Sequence, residues 1–250
     1  MRTSLRNLAL FGTLLLAALA RDAGQANAPP GPRDREAERK RMVDEQLRAR
    51  DIRNPRVLGA MLAVPRHLFV PESDRGDAYR DTPLPIGHGQ TISQPYIVAF
   101  MTQALAVEPH HRVLEVGTGS GYQAAILSVL AKEVYTIEII PALAERARNL
   151  LTALEYRNVT VRAGNGYLGW PEHAPYDRII VTAAPDEVPR ALIDQLKIGG
   201  LMAIPVGTVT QELWVLRRTP TGMETLTTLP VRFVPMRGKP KPDSKPELSH

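Results

Sequence analysis

The chain contains no cysteine among its 250 residues. Disulfides, thiolate metal sites and a cysteine nucleophile are therefore excluded. The pattern H-E-x-x-H is missing as well, and no metal site is expected. The apolar run from Leu8 to Ala20 is too short to span a bilayer comfortably, so no stable membrane anchor is expected. Internal repeats are absent, which removes solenoids and propellers from consideration.

What is present begins with enough length to bury one substantial core, and a single α/β domain with extensions is the default. The formal net charge of +5 belongs to the ends. Residues 1–50 carry ten Lys/Arg against six Asp/Glu, and residues 231–250 carry five against two, which leaves the body at sixteen against eighteen. A body with a slight negative excess offers no basic face, so nucleic acid is not an expected partner. Arg2 and Arg6 precede the apolar run, and Ala18-Leu19-Ala20 and Ala26-Asn27-Ala28 are cleavage candidates, the pattern of a secretory leader. The alternative is an unstructured extension upstream of a domain that begins near Asp34. The sequence thus divides into a leader and linker (1–33), a folded domain (34–237) and a Lys/Pro-rich tail (238–250) expected to be disordered.

The domain is organised around Val113-Leu114-Glu115-Val116-Gly117-Thr118-Gly119-Ser120-Gly121-Tyr122. An apolar run, a glycine turn and a run of helix formers predict strand, tight turn and helix, the opening unit of an open α/β sheet. Glycines let such a turn approach a ligand closely, and the helix start leaves amides free to face it. The dinucleotide fingerprint fails because its last glycine is Tyr122, and a P-loop lacks its Gly-Lys-Ser/Thr. A nucleophile elbow fails because Ser120 is off centre. What remains is Glu-x-Gly-x-Gly-x-Gly, which resembles the first motif of class I methyltransferases that use S-adenosylmethionine. A glycine turn in some other α/β protein is the plainer reading of that motif alone.

Along the rest of the chain, residues 35–50 predict a surface helix with a narrow apolar stripe of Met42, Val43 and Leu47. Arg56–Val64 predicts a short helix, Arg66–Pro71 an extended segment between prolines, and residues 72–92 an irregular loop. A helix follows to about Ala106, with Ser93 as its cap and Pro95 in its first turn. Helices are predicted at 141–155 and at 189–197, the latter capped by Gly199-Gly200. Strands are predicted at 113–116, 133–140, 159–163, 178–182, 201–205, 212–217 and 231–234. The fold class is α/β: a Rossmann-like, doubly wound, mainly parallel seven-stranded sheet with helices on both faces and an antiparallel edge.

In such a sheet ligands lie beyond the carboxyl ends of the strands. Glu138 ends the second strand 21 positions after Gly117, where a carboxylate can accept both hydroxyl hydrogens of a ribose. The third strand runs into Gly164-Asn165-Gly166, whose backbone can approach an adenine and whose amide can pair with the base edge. A solvated strand-end carboxylate and a plain turn are the competing readings.

Five further blocks sharpen the resemblance: Val64–Pro71, Pro85–Pro95, Gly166–Trp170, Ala191–Gly200 and Val231–Met236. In that order they are similar to the protein-L-isoaspartate O-methyltransferase family over roughly residues 40–237. The resemblance implies methyl transfer from S-adenosyl-L-methionine to the free α-carboxylate of L-isoaspartyl residues in damaged proteins and peptides. It implies Ser93 as the active-site serine, orienting the carboxylate. It implies cofactor contacts from Thr91, Ile92, Glu115, Gly117, Thr118, Gly119, Glu138, Ile139, Asn165 and Gly166. A monomer acting in the cytoplasm is expected, with the periplasm as the alternative if the leader directs export. One position departs from the family, which usually has Asp where this chain has Asn165. Asn keeps an acceptor oxygen and loses the charge, which predicts weaker cofactor binding.

Overall fold

The computed structural model describes residues 35–240. The leader-like segment and the tail beyond Pro240 lie outside the described residues. Helix α1 (Glu36–Arg41) runs straight into a π-helical turn over Met42–Arg48, and the stripe of Met42, Val43 and Leu47 is buried as its spacing predicts. Helix α2 (Pro55–Ala63) follows, with the Asn54 side chain accepting from the amides of Arg56 and Val57.

The segment expected to be extended, Arg66–Phe69, is instead a turn of 3₁₀ helix. Arg66 and His67 are both fully buried. Arg66 Nε donates to the Ala78 carbonyl at 2.7 Å, and His67 Nδ1 meets the Tyr79 hydroxyl at 2.7 Å. An extended chain sends neighbours to opposite faces, so two consecutive inward polar side chains require a helical turn.

Residues 72–92 are more ordered than a loop. They form a 3₁₀ turn over Glu72–Asp77 and then a hairpin of β1 (Leu84–Gly87) and β2 (Gln90–Ile92). His88 and Gly89 turn the hairpin with positive φ at both, the backbone that matches the twist of two strands. Helix α3 (Pro95–Ala104) is capped at Gln94 and not at Ser93, because Pro95 occupies the first helical position.

The α/β alternation then proceeds through β3 (Arg112–Val116), α4 (Tyr122–Leu130), β4 (Glu133–Glu138), α5 (Pro141–Ala153), β5 (Val159–Ala163), β6 (Tyr176–Val181), α6 (Arg190–Gln195), β7 (Leu196–Val206), β8 (Gln211–Thr219) and β9 (Gly222–Val231). These last seven strands form one sheet in the order β5-β4-β3-β6-β7-β8-β9. It is parallel from β5 to β7 and antiparallel at β8 and β9. Most strand boundaries shift by one or two residues, and two strands differ by more. Gly199-Gly200 lies inside β7, which starts at the end of α6. The last strand is Gly222–Val231, hidden from sequence because most of its residues are exposed and the alternation of a half-buried strand is missing.

Alternation along the central strands feeds two cores. Val113, Ile180 and Ala203 pack with α2, α3 and α4 on one face, while Leu114, Ile179 and Met202 pack with Leu192 of α6 on the other. The chain leaves β3 toward β4 and β5, then returns to lay β6 on the other side of β3. That reversal opens a crevice over the carboxyl ends of β3, β4 and β6. No helix among the described residues is long and apolar enough to cross a membrane.

Candidate active site

The crevice holds an open pocket of about 570 Å³, part of it continuous with solvent, floored by Val116, Gly117, Gly119, Glu138, Ile139, Gly166 and Thr182. Gln90 and Thr91 of the hairpin bound one side, and Val234–Arg237 bound the other. A smaller cavity of about 410 Å³ shares Thr91, Gly117, Gly119 and Thr182 with it. Its remaining walls include Ile92, Ser93, Glu115, Thr118, Ser120 and Gln123. The two spaces therefore meet at the glycine turn. Of the residues expected from sequence, all but Asn165 line one or both of them.

Gly117 explains why the turn fits here. Its φ is +99°, and a Cβ would fall 2.3 Å from Thr182 Oγ1. The Thr182 hydroxyl donates to the Gly117 carbonyl at 2.6 Å, fixing the turn against β6. Thr182 was not singled out in the sequence, although its place at the carboxyl end of a predicted strand was the available signal.

Glu138 is buried and orders the turn from the next strand. One carboxylate oxygen accepts from the Gly119 amide at 2.8 Å and the other from the Ile140 amide at 3.0 Å. Each oxygen retains a lone pair for a ligand on the cavity side.

Glu115 is fully buried, and neither of its carboxyl oxygens has a hydrogen-bond partner among the described residues. Its neighbour Thr136 shares a 2.6 Å bond with Thr118. Burial pushes the Glu115 carboxyl up to about 8; the adjacent Thr136 hydroxyl opposes the shift and the nearby Glu138 charge adds to it. A buried acid with unused oxygens on a cavity wall is suited to a cationic group from a ligand.

Ser93 is half-buried where the hairpin joins α3 and faces the smaller cavity. The Tyr96 amide at the helix start is taken by Asp81 Oδ1 at 2.9 Å, and Asp81 also pairs with Arg50 at 3.0 Å. Asp81 already supplies an anion to this helix end. The Ser93 hydroxyl is the polar group of this junction that faces the cavity.

Asn165 is turned away from the cavity. Its Oδ1 accepts from the Tyr167 amide at 3.0 Å, and its Nδ2 donates to the Gly238 carbonyl at 2.7 Å. Gly166 beside it lines the wall. The Val234–Arg237 wall is a second feature missed, because the sequence placed part of it in a strand. His88 is exposed at the hairpin tip. His111 accepts the Glu108 amide at 2.9 Å at the start of β3, remote from the strand ends that form the site.

Comparisons with known proteins bear on the family and the fold. Residues 37–241 match the model of the protein-L-isoaspartate(D-aspartate) O-methyltransferase family. The chain is 57% identical over 203 residues to the protein-L-isoaspartate O-methyltransferase of Gloeobacter violaceus, covering 80% of this chain and 99% of that protein. Against the protein of the same name from Opitutus terrae it is 53% identical over 230 residues, covering 91% and 98%. A solved protein-L-isoaspartate O-methyltransferase superposes with a TM-score of 0.75 at 29% identity, over 80% of this chain and 66% of that one. A second, from Plasmodium falciparum in complex with S-adenosyl-L-homocysteine, gives 0.69 at 26% identity, over 80% and 98%. The chain belongs to the protein-L-isoaspartate(D-aspartate) O-methyltransferase family.

Proposed function

We propose the following division of labour in the site. The protein is a repair methyltransferase that uses S-adenosyl-L-methionine to esterify the free α-carboxylate of L-isoaspartyl residues in damaged proteins and peptides. The observation that carries the reading at the site is Glu115: an unpartnered buried acid beside a glycine turn, which fits the cationic methionyl end of that cofactor. Glu138, Ile139 and Gly166 would hold its adenosyl end in the larger cavity, with Thr118 and Gly119 at the junction. When bound, the cofactor supplies a methyl group on positively charged sulfur.

The acceptor needs no general base. A carboxylate with an ordinary pKa of roughly 4 is already the nucleophile at neutral pH. The chain's task is alignment and partial dehydration of that carboxylate. Ser93 donates its hydroxyl hydrogen to one carboxylate oxygen, which leaves the other free to attack. Thr91 and Ile92, at the end of β2, place this serine at the junction with α3.

The protein acts as a monomer on peptide and protein carboxylates in the cytoplasm, and its body, without a basic excess, does not seek nucleic acid. The catalytic domain spans residues 34–237. Incubation with methyl-labelled cofactor and an isoaspartyl peptide is expected to leave base-labile label on the peptide. Ser93→Ala is expected to lower kcat about ten-fold or more while cofactor affinity holds. An unlabelled peptide would sink the activity; full turnover by the variant would sink the role of Ser93.

A further inference from the structure

The final described residues stay on the domain. From Phe233 to Lys239 the chain crosses the carboxyl edge of the sheet as a strap fastened at four points. Gln211 holds Phe233 through both amide atoms, at 2.6 and 3.2 Å. Ala184 donates to the Val234 carbonyl at 2.9 Å and accepts from the Met236 amide at 2.8 Å. Asn165 Nδ2 donates to the Gly238 carbonyl at 2.7 Å. Lys239 pairs with Asp186 at 2.6 Å and Glu187 at 3.1 Å. Val234–Met236, held at the second fastening, and Arg237, between the second and the third, form a wall of the larger cavity.

The third fastening depends on chemistry peculiar to an amide. Tyr167 N–H can only donate and the Gly238 carbonyl can only accept, so both ends of Asn165 are fixed and the group cannot be flipped. A carboxylate at position 165 would keep the first bond and set an oxygen lone pair against the Gly238 carbonyl. Gly238 is matched to this contact. Its φ is +87°, and a Cβ would fall 2.7 Å from Ile139 Cδ1 and 2.9 Å from Asn165 Oδ1. Amide and glycine together let the strap lie this close.

The two sides of the cavity are not held equally. The hairpin is tied to α5 by Arg146 Nη1 on the Ile86 carbonyl at 3.1 Å, in a partly buried contact, and Ile86 itself is buried. The outer strap rests on one exposed neutral hydrogen bond and on exposed ion pairs, which contribute little in water. The end of the strap beyond Met236 is therefore held less firmly than the stretch Phe233–Met236, which keeps its bonds to Gln211 and Ala184.

We infer that Asn165 is a positioning residue that latches the outer strap, Arg237–Lys239, at the rim of the cofactor cavity and thereby controls cofactor exchange. It acts through Gly238, not by charging the adenine edge. The inference rests on the proposed function for the identity of the ligand. It also reverses the sign expected from sequence for Asn165→Asp: the acid loosens the strap and speeds release.

Trypsin offers a readout that needs no ligand. The Arg237–Gly238 bond is cleavable, whereas Lys239, Lys241 and Lys245 each precede proline and resist. Release of the fragment 238–250 from the full-length chain therefore reports opening of the strap. Asn165→Asp and Gly238→Ala are each expected to speed that release about five-fold, the effect of losing one neutral hydrogen bond. Dissociation of S-adenosylhomocysteine, followed by stopped flow, is expected to accelerate by a similar factor. Lys239→Ala is expected to shift both rates in the same direction by less. The Asn165→Asp/Gly238→Ala double variant is expected to exceed neither single, because both break one contact. Wild-type cleavage of Asn165→Asp would overturn the latch, as would effects on dissociation that multiply in the double variant. A chain that binds no S-adenosylhomocysteine would fail the functional reading and the exchange claim with it, whereas the ligand-free cleavage would still report whether Asn165 holds the strap.

Discussion

Glu115 lies in β3 with no exposure and no partner for either carboxyl oxygen among the described residues. Its raised pKa makes it a cost to the empty fold. The unfolded carboxyl titrates near its ordinary value of 4.5 and the folded one at about 8. Between these the native state binds the extra proton, so stability falls as pH rises through the window, and the penalty is complete above it. Glu115→Gln, close in shape and without the charge, is expected to raise the melting temperature of the ligand-free protein more at pH 9 than at pH 6. The same change is expected to weaken S-adenosylmethionine binding by roughly ten-fold or more, the loss of a charge-assisted contact. Wild-type affinity would also strengthen from pH 6 to pH 8 as the proton leaves. An equal thermal shift at both pH values, or unchanged affinity in the variant, would remove Glu115 from this role. This is a side chain retained against stability, and the sequence alone could name it but not show that its oxygens are unused.

The glycine turn between β3 and α4 and the threonine that ends β6 work as one unit. Gly117→Ala is expected to destabilise the fold by about 1–3 kcal/mol from backbone strain alone, with an added clash against Thr182 Oγ1. Removing that oxygen through Thr182→Ala in the same chain is expected to recover part of the loss in a denaturation series. Strict additivity of the two would mean that the contact does not govern the turn. Elements of this kind were legible in the sequence wherever local pattern and tertiary fate agree. Pro95 and Pro141 mark helix starts, and the run Val113–Val116 marks a strand with both faces buried. Legibility failed where tertiary partners decide. Tyr79 and the Ala78 carbonyl draw His67 and Arg66 inward and curl a segment that its prolines suggest is extended. The strap 234–239 has no periodicity of its own, since Gln211, Ala184 and Asn165 from distant elements shape it.

On the proposed function, the molecule as a whole assigns the binding of the donor and the orientation of the acceptor to different parts of one sheet edge. Central strands β3, β4 and β6 supply the floor, and of the segments that bound it the hairpin 84–92 precedes the seven-stranded sheet in the chain while the strap 234–239 follows it. Ser93 follows the first of these at the wall of the smaller cavity, so on the proposed reading the hairpin sets acceptor geometry while the floor sets the donor. An isoaspartyl residue and a normal aspartyl residue carry the same groups, and they differ in which carboxyl is free and how far it stands from the main chain. Discrimination must therefore come from placement. The measurement that bears on this most directly is the ratio of kcat/KM for an isoaspartyl peptide and its aspartyl twin, with S-adenosylmethionine saturating. Misplacing a reacting atom by an ångström costs on the order of 100-fold, so a ratio of about 100 or more in favour of the isoaspartyl peptide is expected. Comparable values for the two peptides would contradict the account.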